Sequence, residues 1–211
     1  MIFEQLAVGP LQCNCYILGD EQTREALIID PGEEANRILA VVTRHRLTVR
    51  ALLHTHAHFD HVGATAELRE ATGAEVCLHR GDEPLYDNLA LQAQWFGLPP
   101  PKETPVTRWC EDKEELIAGG VVASLLHTPG HTPGSVCGLV SAAAMLFSGD
   151  TLFAGSVGRT DLWGGSHEQL MASITNRLLA LPDETVVYPG HGPSTTIGRE
   201  RKTNPFLQQP F

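Results

Sequence analysis

Four side chains that bind metal through nitrogen or oxygen, His56, His58, Asp60 and His61, fall within six residues of one another. Histidine and aspartate together suit zinc, iron or manganese, and with no cysteine nearby a purely structural zinc staple is disfavoured. Three further ligand types follow, each flanked by small residues. His131 lies in Thr128-Pro129-Gly130-His131-Thr132-Pro133-Gly134, Asp150 in Phe147-Ser148-Gly149-Asp150-Thr151, and His191 in Tyr188-Pro189-Gly190-His191-Gly192. Glycine and proline beside a ligand allow a sharp turn and close approach of backbone. Each is weak alone, since a single Asp after a strand is more often a cap or turn residue. Together the seven residues are enough for two metals with open positions. Such a pair lowers the pKa of bound water, so that hydroxide attacks a carbonyl without a strong side-chain base.

The elements that must position these residues follow from pattern. The apolar run 49–53 reads as a strand that delivers the first cluster. Residues 15–18, 26–29, 75–79, 121–127, 135–140, 144–147 and 184–188 read as further strands. Residues 33–46 read as an amphipathic helix with Ile38, Leu39 and Val42 on one side. Residues 61–71 read as a second helix ended by Thr72-Gly73. Residues 167–181 read as a third, with Ser166 as N-cap. The stretch 81–96, stopped by Gly97-Leu98-Pro99-Pro100-Pro101, reads as a surface connection that shapes the pocket mouth only as the lesser alternative. Strands interleaved with helices suggest a layered α/β arrangement without saying which.

The pattern H-x-H-x-D-H, a distant His, a distant Asp and a last His resembles the metallo-β-lactamase superfamily, more closely its glyoxalase II (hydroxyacylglutathione hydrolase) branch. The segments 149–153 and 158–161 are similar to those of glyoxalase II and of persulfide dioxygenases. The ending, from Gly190-His191-Gly192-Pro193 through residues 200–207, is similar to small bacterial single-domain glyoxalase II-like hydrolases. The resemblance implies a four-layer αββα sandwich formed by one domain over residues 1–211, with no C-terminal glutathione-binding helical domain. It implies one metal on His56, His58 and His131, another on Asp60, His61 and His191, and Asp150 bridging them. Two divalent ions are expected, zinc first, iron or manganese as alternatives. Asp60 is expected to orient the hydroxide as well as bind metal, and Arg159 to grip a substrate carboxylate, with an ion pair to Asp161 as its rival role. The implied reaction is hydrolysis of a thioester such as S-lactoylglutathione to a hydroxy acid and a thiol, because a thiolate leaves without much protonation.

The chain departs from full-length glyoxalase II at several places. Gly192-Pro193-Ser194 stands where the family carries a tyrosine, and Thr160-Asp161-Leu162-Trp163 replaces an aromatic stretch. Arg199, Arg201 and Lys202 read as a solvated charged tail. The rival readings are a persulfide dioxygenase with one iron on His56, His131 and Asp150, and a lactonase or other esterase. A β-lactamase is disfavoured, because many zinc β-lactamases carry Cys where Asp150 stands. A non-catalytic binding module is disfavoured by the complete ligand set. His54 is read evenly as a supporting or a packing residue, and His127 as structural.

The 211 residues are 42% hydrophobic and 19% charged, ordinary for a globular protein, with a net charge of -10. That charge argues against a nucleic-acid partner, though a metal pair still attracts a small anionic substrate. No apolar run approaches bilayer length, and Met1-Ile2-Phe3-Glu4-Gln5 does not open a signal peptide. The expected partner is therefore a small molecule and the expected location the cytoplasm. Five cysteines in no framework fit a reducing compartment. Cys13 and Cys15 share a strand face and read as packed thiols. The apolar stretch 204–211 is free to pack on its own domain or on a second subunit.

Overall fold

The computed structural model describes residues 1–208. Strand β2 (Cys13–Gly19) is buried at every position, so it needs cover on both faces. Tyr16 and Leu18 point one way and Cys15 and Ile17 the other, into separate apolar clusters. The same division runs through two sheets. The first contains β1 (Ile2–Val8), β2, β3 (Glu25–Ile29), β4 (Thr48–Leu53), β5 (Glu75–His79) and β6 (Arg108–Cys110) side by side in chain order. The second contains β7 (Glu115–Ala118), β8 (Val121–His127), β9 (Val136–Val140), β10 (Met145–Gly149), β13 (Val186–Pro189) and β14 (Thr195–Thr196), in the order β14-β13-β10-β9-β8-β7. A small hairpin, β11 (Leu152–Phe153) with β12 (Ser156–Val157), follows β10.

Between the sheets lies a cluster that includes Tyr16, Leu27, Leu53, Leu125 and Phe147. The outer face of the first sheet is covered by α1 (Ala35–His45) and α3 (Thr65–Thr72) through Ile38, Val41, Val42 and Leu68. The outer face of the second is covered by α6 (His167–Ser173) and α7 (Ile197–Thr203) through Leu170, Met171 and Ile197. This is the α/β, four-layer αββα sandwich that the resemblance implied. In β4, Arg50 is an extra residue between the pairs Ala26–Val49 and Leu27–Ala51. The bulge flips the pleat, so that Val49 faces out while Ala51 and Leu53 face in.

Several elements differ from the pattern reading. Strands β1, β6, β7 and β14 were not anticipated; they are edge or near-edge strands, short or half-exposed. The helix expected over 61–71 is two, α2 (Phe59–Val62) and α3, broken at Gly63-Ala64. There the Ala64 amide donates to the Pro31 carbonyl at 3.0 Å, and Gly63 lies so close to the Gly32 carbonyl that no Cβ would fit. Ser166 does cap α6, accepting from the Gln169 amide, but residues Ile174–Leu178 continue as a π-helical turn. The stretch 81–96 is not a surface connection: α4 (Glu83–Tyr86) and α5 (Leu89–Trp95) bury Leu85, Leu89, Gln92 and Ala93. Leu207 packs on the outer cluster of the second sheet, and residues 209–211 of the expected apolar tail lie outside the described residues.

Candidate metal centre

The ligand residues all leave the ends of strands on one rim of the sandwich. His56 follows β4 by a short turn, and the helical turn of α2 lifts Asp60 and His61 beside it. Asp150 follows β10 and His191 follows β13. These two strands are parallel and pair as far as Gly149 and Pro189, so their next residues emerge together. His131 sits in the turn between β8 and β9. All seven expected ligands therefore meet. Asp60 Oδ2 lies 3.3 Å from His191 Nε2 and 3.7 Å from His61 Nε2. Asp150 Oδ1 lies 3.7 Å from His61 Nε2, and its Oδ2 lies 3.7 Å from His131 Nε2 and 3.8 Å from His191 Nε2. Gly190 and Gly158 permit this crowding, since a Cβ on either would strike Asp150.

The far nitrogen of most rings is already committed. Asp30 accepts from the Thr55 amide and hydroxyl, both at 2.7 Å, and from His61 Nδ1 at 3.0 Å. With its own proton on Asp30, the Thr55 hydroxyl accepts from His56 Nδ1 at 3.1 Å. His131 Nδ1 donates to the Arg159 carbonyl at 2.8 Å and His191 Nδ1 to the Leu11 carbonyl at 3.1 Å. These bonds fix the tautomers and leave the Nε2 lone pairs facing inward. His58 turns its Nδ1 to within 3.0 Å of His131 Nε2.

What faces inward is unsatisfied. His56 Nε2, His61 Nε2 and Asp150 Oδ1 are buried without a hydrogen-bond partner, each at a cost of about 1–3 kcal/mol. Atoms of His56, His58 and His131 lie within 4.8 Å of one another, as do those of His56, His61 and Asp150. The two groups share His56, so one cation at His56, His58 and His131 and a second at His61 and Asp150, beside Asp60 and His191, would satisfy the orphaned atoms, and the donor set fits two divalent ions. Electrostatics agree. Burial, aided by the neighbouring imidazoles, holds His56 well below the ordinary histidine range and His58 down to about 3, so both are neutral donors. Burial would raise Asp60, but His61 and His191 hold it below the usual carboxylate range. Burial would depress His61, but Cys13 and the carboxylates Asp60, Asp150 and Asp30 push it well above. Negative charge that holds a proton there would equally hold a metal.

Two buried carboxylates were missed from the sequence. Asp30 supports His61 and Thr55 as described. Asp82 accepts from the Ala57 amide at 2.9 Å, the Thr132 hydroxyl at 2.8 Å and the Gly134 amide at 2.6 Å. It thereby ties the first ligand loop to the His131 loop. Cys13 packs as expected, yet its thiol also lies 3.5 Å from His61 Nδ1, and burial pushes it up to about 12. His54 is fully buried, with Nε2 3.2 Å from the Thr65 hydroxyl. His127 is structural, donating to the Pro133 carbonyl and stacking on His79. Arg159 makes the rival contact, a fork onto Asp161 at 2.7 and 2.8 Å, at the edge of the cavity above the centre. Arg201 is no free tail residue: it donates to the Leu179 and Leu181 carbonyls and pairs with Asp183.

Residues 8–191 match the family model described as the metallo-beta-lactamase superfamily. The chain belongs to the metallo-β-lactamase superfamily. Over 209 residues it is 40% identical to hydroxyacylglutathione hydrolase GloC of Haemophilus influenzae, covering 98% of both chains. A solved structure described as BLEG-1 B3 metallo-beta-lactamase superposes with a TM-score of 0.92 at 42% identity, over 99% of this chain and 100% of that one. A di-iron-bound form of TTHA1623 superposes with a TM-score of 0.88 at 47% identity, over 97% and 100%. This is a superfamily of metallo-hydrolases, and its fold implies a divalent metal.

Proposed function

We propose that the protein is a metal-dependent hydrolase that cleaves thioesters of small molecules. The observation that carries this reading is the set of inward-facing, unpartnered donors on His56, His61 and Asp150, beneath a cavity of about 280 Å³. In this reading His56, His58 and His131 would hold one ion and Asp60, His61 and His191 the other, with Asp150, which approaches His131, His61 and His191, shared between them. Zinc is the expected metal; the di-iron form of TTHA1623 makes iron the first alternative to assay. When bound, such a pair supplies Lewis acidity for the carbonyl and acidifies water.

The protein's own residues orient the reaction. The ionised Asp60 carboxylate accepts a hydrogen bond from the attacking water and aims its oxygen at the acyl carbon. A C–O bond forms and the C–S bond breaks. The thiolate departs with the electron pair, which needs little protonation because thiols ionise near pH 8.5. The water proton passes through Asp60 Oδ to solvent or to the thiolate. Arg159 is placed to exchange Asp161 for a substrate carboxylate, since its fork is preformed and exposed. The five free, buried thiols suit a reducing cytoplasm, and among the described residues no helix is long and apolar enough to cross a membrane.

The test is hydrolysis of S-lactoylglutathione by metal-loaded protein, with Asp150→Ala as the blank. Turnover that the substitution abolishes is expected. No turnover of any thioester, in protein shown to hold metal, overturns the reading; oxygen uptake with a persulfide would then identify the dioxygenase alternative.

A further inference from the structure

The cavity above the centre has walls of a different character from its floor. Leu11, Phe59, Leu85, Trp95, Phe96 and Trp163 line it. Phe59 and Leu85 are buried within the wall, whereas Trp95, Phe96, Trp163 and Leu11 are 61%, 49%, 51% and 38% exposed. Those four are half of the eight large apolar side chains exposed among the described residues, and all four ring one opening. A concentration of exposed apolar surface at a cavity mouth marks a binding surface, where the same residues scattered singly would mean nothing. The wall is built to stay. Leu89 and Ala93 of α5 are buried against Phe59 and Val62, and the Phe96 ring lies 5.1 Å from that of Phe59. The Gln92 side chain also bonds the Ala57 and Leu85 carbonyls and the Phe59 amide. Trp95 is thus presented by a helix anchored to the first ligand loop.

Charge gives the complementary argument. Arg159 is the single Lys or Arg lining the cavity among the described residues, so the wall offers one cationic fork and is otherwise apolar or part of the metal centre. The carrier thiols of biological thioesters are polar peptides, sugars or nucleotides, and glutathione brings a pair of carboxylates. The aromatic rim of Trp95, Phe96 and Trp163 offers such polar groups no partner. The apolar part of a thioester is its acyl group. We propose that the Trp95, Phe96 and Trp163 rim is the acyl-specificity surface of the site, so that preferred substrates carry a linear aliphatic or aromatic acyl chain, and a short hydroxyacyl group such as lactoyl is a minimal one. This rests on the thioester reading above and names the substrate class within it.

The experiment holds the thiol constant and varies the acyl group. Metal-loaded protein is assayed with S-lactoyl-, S-butyryl- and S-hexanoylglutathione. Binding of the inert thioethers S-methyl- and S-hexylglutathione is followed in parallel by calorimetry. The expected result is a kcat/KM at least about tenfold higher for hexanoyl than for lactoyl, carried by KM, with a matching tenfold gap in Kd between the thioethers. Trp95→Ala with Trp163→Ala should collapse both ratios toward one, while Ile117→Ala, exposed on the far edge strand, leaves them unchanged. Thioesters cleaved without regard to chain length, and thioethers bound equally, overturn the acyl-surface proposal and leave the hydrolase reading intact. Tighter binding of S-hexylglutathione with no cleavage of any thioester does the reverse. It upholds the apolar surface and sinks the hydrolase reading.

Discussion

The floor and the rim of the cavity are held in opposite ways. On the floor, four of the five histidines have their outer nitrogen tied to Thr55, Asp30, Arg159 or Leu11, and Asp82 laces the loops beneath them. On the rim, Trp95 and Trp163 are more than half exposed. The contrast teaches where rigidity is needed. Donor atoms that share a cation must agree in position to a fraction of an ångström, and buried hydrogen bonds supply that. A surface that grips an apolar chain needs area and little geometry, so it tolerates exposure.

The contrast is easily broken at its strongest point. Asp150→Ala should lower thioester turnover by on the order of 10³ or more and reduce bound metal below that of the parent, read by elemental analysis. Next, Asp82→Ala would strand the Ala57 and Gly134 amides, which are buried with it. We expect a loss of about 2–4 kcal/mol in urea unfolding of the metal-free protein. A loss under about 0.5 kcal/mol would show that the floor is not held as described. Asp30→Asn keeps a hydrogen-bond acceptor but removes charge from behind His61, so metal affinity in a chelator competition should fall about 10–100-fold. The smallest effect is expected on the rim, where Trp163→Ala should change unfolding free energy by no more than about 0.5 kcal/mol. A larger loss would mean that the rim is structural too.

Legibility in the sequence followed the same divide. His56 to His61 was readable because its donors are contiguous, and His131, Asp150 and His191 became readable only through their order after it. Asp30 and Asp82 were not, because an Asp at a strand end or a turn looks the same whether it caps a turn or supports a ligand. The break between α2 and α3 was hidden for another reason: it is imposed by Pro31 and Gly32, which lie distant in sequence. The π-helical turn at Ile174–Leu178 keeps its apolar side chains in the outer cluster, so periodicity carried straight through it. Pro-rich punctuation after 97 made α4 and α5 look peripheral, although their Leu85, Gln92 and Trp95 form a wall of the cavity.

The chain completes its first sheet at Cys110 before it begins the second at Glu115. Cut within that short crossing, the molecule would give an amino-terminal piece bearing His56, His58, Asp60 and His61, and a carboxy-terminal piece bearing His131, Asp150 and His191. Neither piece owns a complete coordination sphere, and each would expose one face of the central apolar layer to the other. The architecture therefore suggests a split design, in which fusing the pieces to two interacting proteins would make recovery of the proposed hydrolysis a report of their proximity.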